Sequence, residues 1–420
     1  FFAIHGHHGD GHAFLREAAA RGAACVVVHA VSDDLPPAVP VVLVDDTTRA
    51  LGRLAAWHRQ RFTLPVVAVT GSNGKTTTKE MMASVLEALG PVLKPPGSFN
   101  NQWGLPLTLL GLGPEHRAVA LELGANQPGE IAALAALCRP TVGVVTMVAS
   151  AHTAFFGSLD GVQAEKGALV AAIPPEGAVV LNADDPRVLA MRARARARVI
   201  TVSAREDADV RAVGSPVETA EGLTVTFEAR GARRTALLRF AGRHNVGNAL
   251  AAAGVGLALG LPLADLVRGL EAARPAAGRC VWLRAGGLTI LDDSYNANPT
   301  SLRAALETFA AVRGRRVVVL ADMLELGDIA DSAHREAGRA VVASGAAELI
   351  GVGPLSRLAV EAAREAGLAE CHHAGTFEDT MALLLKRLMP GDAVLVKGSR
   401  GMRMERVVAA LVARFGGDDG

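Results

Sequence analysis

The chain has 420 residues, 50% of them hydrophobic and 20% charged, which suits two or three globular domains and excludes a disordered or collagen-like chain. Forty-three Lys and Arg against 42 Asp and Glu leave a formal charge of +1, so electrostatics give no reason to expect nucleic acid or a membrane surface as partner. Apolar stretches break at Gly, Pro or a charge before the roughly 20 residues a spanning helix needs, and no basic-then-apolar leader opens the chain. Four widely spaced cysteines show no CxxC pairing. The expectation is a soluble cytoplasmic protein acting on small substrates, with reduced cysteines in its core. The chain opens at Phe1 without Met, which predicts that an N-terminal piece is missing.

In chain order, a helical stretch ending near Arg21, apolar runs at 25–28 and 41–44 and a helix over 48–61 predict a small α/β domain, residues 1–62. From Pro65 the units lengthen. A buried strand at 66–69 is followed by a helix over 75–89, and apolar runs at 119–123, 142–145 and 179–181 alternate with helical segments. That pattern predicts a mostly parallel sheet covered on both faces. Residues 222–240 alternate like an antiparallel hairpin, and 245–259 is an Ala-rich helix. These complete a central domain, 63–281. Strands at 288–291, 317–320, 349–352 and 393–396 alternate with helices, the pattern of a Rossmann-like third domain, 282–420. The fold class is therefore α/β in three domains. The Arg-Ala run at 192–198 lacks interleaved aromatic residues and reads as a solvated face, not a nucleic-acid patch.

Directly after the first strand of the central domain comes Gly71-Ser72-Asn73-Gly74-Lys75-Thr76-Thr77, opening a helix. Strand, glycine loop and helix N-terminus present backbone N–H groups and a positive dipole end to a polyphosphate. Lys75 can reach the outer phosphates and the Thr76 hydroxyl can hold Mg²⁺. Val69 stands where the full P-loop pattern has its first glycine, so this is a shortened GxxGKT form; the competing reading is an ordinary Gly-rich turn.

Glu122 ends the next core strand, at the sheet edge where ligands bind in such folds. A carboxylate among Val and Leu needs a partner, either a salt bridge or Mg²⁺. His152 lies just beyond the following strand, the third strand end in succession. Lys166 sits on the helix after that. Only six of the 43 basic residues are lysines, and a lysine drawn into a metal site would have its pKa lowered and could add CO₂ as a carbamate. The histidine-rich start, His5 to His12, misses the HxHxDH hydrolase spacing and reads as a polar loop.

At this point the residues resemble a known family. Segments 69–78, 98–108, 122–126, 151–152, 242–248 and 292–299 closely resemble the Mur ligases of bacterial cell-wall synthesis, over nearly the whole chain. Within that family, segments 295–299, 321–327 and 397–400 are similar to the branch that adds D-alanyl-D-alanine to UDP-N-acetylmuramoyl-tripeptide. The resemblance implies a first domain for the uridine nucleotide, a central ATPase and a C-terminal domain that admits the dipeptide. It implies a catalytic set of Lys75, Lys166 and His152, with Gly71 to Thr77 on ATP. Thr76, Glu122, His152 and Lys166, the last carbamylated, would hold Mg²⁺. Asn245 and Asn248 would face adenine, and Arg279 and Asp293 the phosphates and ribose. Asp10, Gly11 and His12 would lie near the UDP moiety, Asn101, Tyr295 and Asn296 near substrate, and Lys397, Ser399 and Arg400 near the dipeptide carboxylate. The implied partners are these two substrates alone, with no nucleic acid or membrane, and the chain is expected to be a monomer. The sequence departs from the family at Met147, where an Asn is usual, and at Ala149-Ser150, where Gly-Pro is usual. A piece missing before Phe1 would carry the first strand and a Ser-Arg motif for uridine. The rival readings are a folylpolyglutamate-type ligase, a P-loop kinase or hydrolase, and an inactive nucleotide-binding homologue.

Overall fold

A computed structural model describes residues 1–6, 9–31, 39–149, 153–219 and 221–416. The strand Val66–Thr70 is buried along its whole length. Its alternate side chains enter two cores, Val67 and Val69 on one face and Val66 and Ala68 on the other, as the two-residue repeat of a strand with two apolar faces requires. Around it runs a nine-stranded sheet, in the order Ala232–Leu238, Gly222–Ala229, Val210–Thr219, Arg198–Ser203, Ala178–Asn182, Val142–Val145, Val66–Thr70, Ala118–Glu122, Val92–Leu93. Pairing is parallel from Val92–Leu93 as far as Val210–Thr219. The expected hairpin then adds two antiparallel strands at the other edge. Helices Lys75–Leu86 and Asn245–Ala258 fill one core through Met81, Val85, Leu250 and Val255. Helices Glu130–Cys138 and Leu159–Ala172 fill the other through Ile131, Leu134, Leu169 and Val170.

A second, six-stranded sheet has the order Val281–Ala285, Leu288–Asp293, Ala393–Lys397, Arg316–Ala321, Glu348–Val352, Cys371–Ala374. Only its first pair is antiparallel. The four expected strands are present; Val281–Ala285 and Cys371–Ala374 were not expected. The chain's beginning forms a small unit in which Val26–Val28 pairs parallel with Val41–Leu43. Next to it, Asp46 caps the helix Thr47–Arg59 by accepting from the Arg49 N–H at 2.8 Å.

The Arg-Ala run is more than a solvated face. Arg196 donates to the Ala171 carbonyl at 3.1 Å and Arg198 to the Ala258 carbonyl at 3.0 Å. Both carbonyls lie at helix C-termini, where orphan acceptors and the negative dipole end favour a guanidinium. Arg194 donates to Ala164 O at 2.8 Å. The cysteines are free, and burial raises the Cys138 thiol to about 12. Among the described residues no helix is long and apolar enough to cross a membrane.

Candidate active site

The two sheets turn the C-terminal ends of their parallel strands toward each other, the edge at which α/β sheets bind ligands. Between them lies a cavity of about 790 Å³. Ser72 to Thr77, Glu122, Thr146 and Asn182 line it from the central sheet; Asp293, Tyr295, Asn296, Leu324, Lys397 and Arg400 line it from the C-terminal one.

The phosphate loop is tight for a stated reason. Gly71 and Gly74 have φ of +147° and +82°, and a Cβ on them would sit 1.9 Å from Thr146 Oγ1 and 2.3 Å from Asn248 Oδ1; only glycine fits. Lys75 Nζ donates to Gly71 O at 2.8 Å. Burial lowers the Lys75 pKa from its ordinary value, Glu122 opposing the effect and Arg279 adding to it. Thr76 Oγ1 donates to Glu122 Oε2 at 2.8 Å and accepts from Arg279 Nη2 at 3.1 Å. The segment where the sequence departs from the family pattern is tied to this loop through main-chain groups. Ser72 N donates to Met147 O at 2.9 Å, and the Ser72 hydroxyl bridges Ala149 N and O at 2.9 and 3.0 Å. Backbone contacts of this kind tolerate Met147 and Ala149.

Glu122 is 1% exposed, and its other oxygen accepts from Asn100 Nδ2 at 2.7 Å. Asn100 is the residue that sequence reasoning missed. Its neighbour Asn101, expected at the site, is exposed and does not line the cavity; its Oδ1 accepts from the N–H groups of Trp103 and Gly104 at 3.1 and 2.9 Å, at the start of helix Gly104–Leu110. Lys166 is buried, and desolvation lowers its pKa to about 7; Lys75 pushes the same way while Glu165, Glu130 and Glu122 oppose. Its ammonium lies 5.7 Å from the centre of the Phe156 ring. His152, together with Ser150, lies outside the described residues.

Across the cavity, Asp293 pairs with Lys397, and its Oδ1 accepts from Cys280 N at 3.1 Å. Lys397 is 1% exposed and also donates to Asn296 O at 2.9 Å. Its charge is thus engaged within the chain, which leaves Arg400 as the more accessible cation of the 397–400 segment. Tyr295 has two guanidinium groups near its ring, Arg279 at 3.9 Å and Arg400 at 5.2 Å from the ring centre, a cation–π arrangement, and its hydroxyl meets that of Ser98. Ser399 Oγ accepts from Leu324 N at 2.8 Å. Thr78 and Asn245 hold Asn248 at 3.2 and 2.7 Å; Asn248 lines the cavity whereas Asn245 stands behind it, donating to Ala241 O. His244, a further cavity residue that was not anticipated, is kept below its ordinary pKa by burial against the pull of Asp293.

Asp10, Gly11 and His12 do not line this cavity. Asp10 accepts from His12 N and meets His12 Nδ1 at 2.9 and 2.7 Å, and these bonds hold its carboxyl down at about 2. A Cβ on Gly11 would come within 2.7 Å of Ile4 N.

Comparison with known proteins settles the family. Residues 69–256 match the Mur ligase middle domain and residues 278–400 the Mur ligase glutamate ligase domain. The chain belongs to the Mur ligases. Among Mur ligases, it is 38% identical to a UDP-N-acetylmuramoyl-tripeptide–D-alanyl-D-alanine ligase of Escherichia coli (strain K12), over 98% of this chain and 90% of that one. A crystal structure of MurF from Acinetobacter baumannii superposes with a TM-score of 0.89 at 33% identity, covering 98% and 90% of the two chains. MurF of Thermotoga maritima in complex with ADP gives 0.85 at 27% identity, covering 98% and 94%.

The Mur ligase site has donors of the right kind for Mg²⁺, a hydroxyl and a carboxylate 2.8 Å apart, both hard oxygen ligands. Among the described residues no group of three His, Cys, Asp or Glu side chains could hold a metal ion unaided. Arg279 Nε is buried with no hydrogen-bond partner among the described residues, a donor suited to an anionic ligand.

Proposed function

We propose that this Mur ligase acts in the cytoplasm as a monomer and joins D-alanyl-D-alanine to UDP-N-acetylmuramoyl-tripeptide, driven by ATP, in peptidoglycan synthesis. The observation that carries this reading is the single cavity in which the Lys75 phosphate loop faces Asp293, Tyr295 and Arg400 of the other sheet. Residues 1–62 would hold the UDP moiety near Asp10, Gly11 and His12, residues 63–281 ATP, and residues 282–420 the dipeptide.

A carboxylate is a poor acylating group because oxide does not leave. Transfer of the γ-phosphoryl group onto a tripeptide carboxylate oxygen gives an acyl phosphate and ADP. The dipeptide amine then attacks the acyl carbon, loses a proton, and phosphate departs as the amide forms. The chain's share is positioning and charge neutralisation. Loop amides from Ser72 to Thr77, the Lys75 ammonium and Arg279 would cradle the phosphates; Asn248, backed by Asn245, would face adenine, and Asp293 the ribose. Thr76, Glu122, His152 and a carbamylated Lys166 would hold Mg²⁺, which supplies further neutralisation of phosphate charge. The proton of the amine has two candidate acceptors, His152 and a phosphate oxygen. Arg400 and Ser399 would meet the dipeptide carboxylate, with Tyr295 and Asn296 beside it.

The deciding assay is ADP release with ATP and each combination of the two other substrates. A ligase of this kind releases ADP at full rate only when UDP-tripeptide and D-alanyl-D-alanine are both present. Release with ATP alone would favour a hydrolase, and no release under any combination an inactive homologue.

A further inference from the structure

Lys79 follows Lys75 by one turn of the same helix and is wholly buried. An ammonium inside a protein is tolerated only when its donors are used. Here it donates to Pro95 O at 3.1 Å and Gly97 O at 2.7 Å, and pairs with Glu80 at 2.7 Å. The target explains the choice of residue. Two consecutive prolines, at 95 and 96, have no N–H groups, so this turn offers acceptors and calls for a cationic donor. Directly beyond the turn, Ser98 meets Tyr295 of the C-terminal domain. Two residues on, Asn100 donates to Glu122 at 2.7 Å and accepts from Gly124 N at 2.9 Å through its carbonyl.

We propose that Lys79 is a positioning residue of the ligase site: it fastens the proline turn to the phosphate helix, and so sets Asn100 against Glu122 and Ser98 against Tyr295. The Lys75 cradle, the Glu122 carboxylate and the docking edge of the C-terminal domain then share one rigid support. The kinetic part of this proposal rests on the ligase reading; the structural part does not.

The test is a cycle of Lys79→Met, Asn100→Ala and the double variant, with two readouts. In ADP release, Lys79→Met is expected to lower kcat about tenfold or more, since small misplacements are costly to positioning, with KM for ATP changed less than about threefold. Asn100→Ala should then cost less than about twofold in the Lys79→Met background, because both act through one loop. In amide hydrogen exchange without substrates, Gly124 should exchange about tenfold faster in Lys79→Met while the Val66–Thr70 strand keeps its protection. Should Lys79→Met fail to fold, Lys79→Gln, which keeps a donor for one carbonyl, carries the same cycle. Unchanged Gly124 exchange, or kinetic costs that multiply independently, would overturn the proposal. Wild-type protein without ADP release would sink the ligase reading instead and leave the exchange readout to decide on Lys79.

Discussion

Asn73 and Asn298, 225 residues apart in sequence, exchange side-chain amide hydrogen bonds in both directions, at 3.3 and 2.7 Å. One sits in the phosphate loop and the other begins helix Pro299–Ala310, where its Oδ1 also caps Ser301 N at 2.9 Å. The pair ties the Gly71–Thr77 loop to the C-terminal domain; with ATP bound at that loop as proposed, a change at Asn298 is expected to be felt by ATP.

Asn298→Asp separates the two duties of that side chain. Aspartate caps a helix as well as asparagine does, but it cannot donate to Asn73 Oδ1 and adds a negative charge beside the phosphate site. The midpoint of thermal unfolding is expected to move by no more than about 2 °C, while KM for ATP rises roughly five- to tenfold, about 1–1.4 kcal/mol. A lowered melting point with unchanged KM would assign Asn298 to stability alone.

Gly74→Ala forces a side chain into left-handed backbone and against Asn248 Oδ1. The backbone conformation alone costs roughly 1–2 kcal/mol, and the contact adds to it. Urea denaturation should show at least that loss, with ATP turnover down about tenfold or more. Wild-type stability would mean that the loop has another accessible shape.

Lys166 makes stability depend on pH. Its folded pKa of about 7 lies below the ordinary 10.5, so between those values the unfolded chain binds a proton that the folded chain does not, and stability rises with pH across that window. Below pH 7 the destabilisation is constant and at its full size. Lys166→Met, measured by denaturation in CO₂-free buffer without substrates, should be more stable than wild type at pH 7, by up to a few kcal/mol, and should flatten the rise between pH 7 and 10. An unchanged slope would show that the ammonium is solvated.

The same residue has a chemical test. Lys166→Ala is expected to lose ligase activity and to regain part of it with added short carboxylates such as acetate, which can occupy the place of a carbamate. Full activity without additive would rule out that role for Lys166.

The parts of the site that were legible in the sequence are those built locally. A buried strand, a glycine loop and a Lys-Thr helix start lie within twelve consecutive residues, and Glu122 announces itself as a carboxylate ending an apolar strand. What the sequence hid depends on partners far along the chain. Lys397 looks available for a substrate carboxylate until the fold brings Asp293 beside it. Asn100 and Asn101 are indistinguishable as letters; the turn before the helix at Gly104 takes up the Asn101 side chain through the Trp103 and Gly104 N–H groups and leaves Asn100 to Glu122. In the same way, Arg196 and Arg198 acquire their purpose from helix ends at Ala171 and Ala258, which no window of neighbouring residues contains. The strand Cys371–Ala374 escaped notice because two histidines and no β-branched residue give it little strand character.

The chain holds a single tyrosine, and the fold has put it at Tyr295, beside two guanidinium groups and against Ser98 of the other domain. Replacing every tyrosine with 3-fluorotyrosine therefore labels one atom at the domain seam. A lone fluorine resonance would follow ring environment during turnover, with no competing signal to subtract.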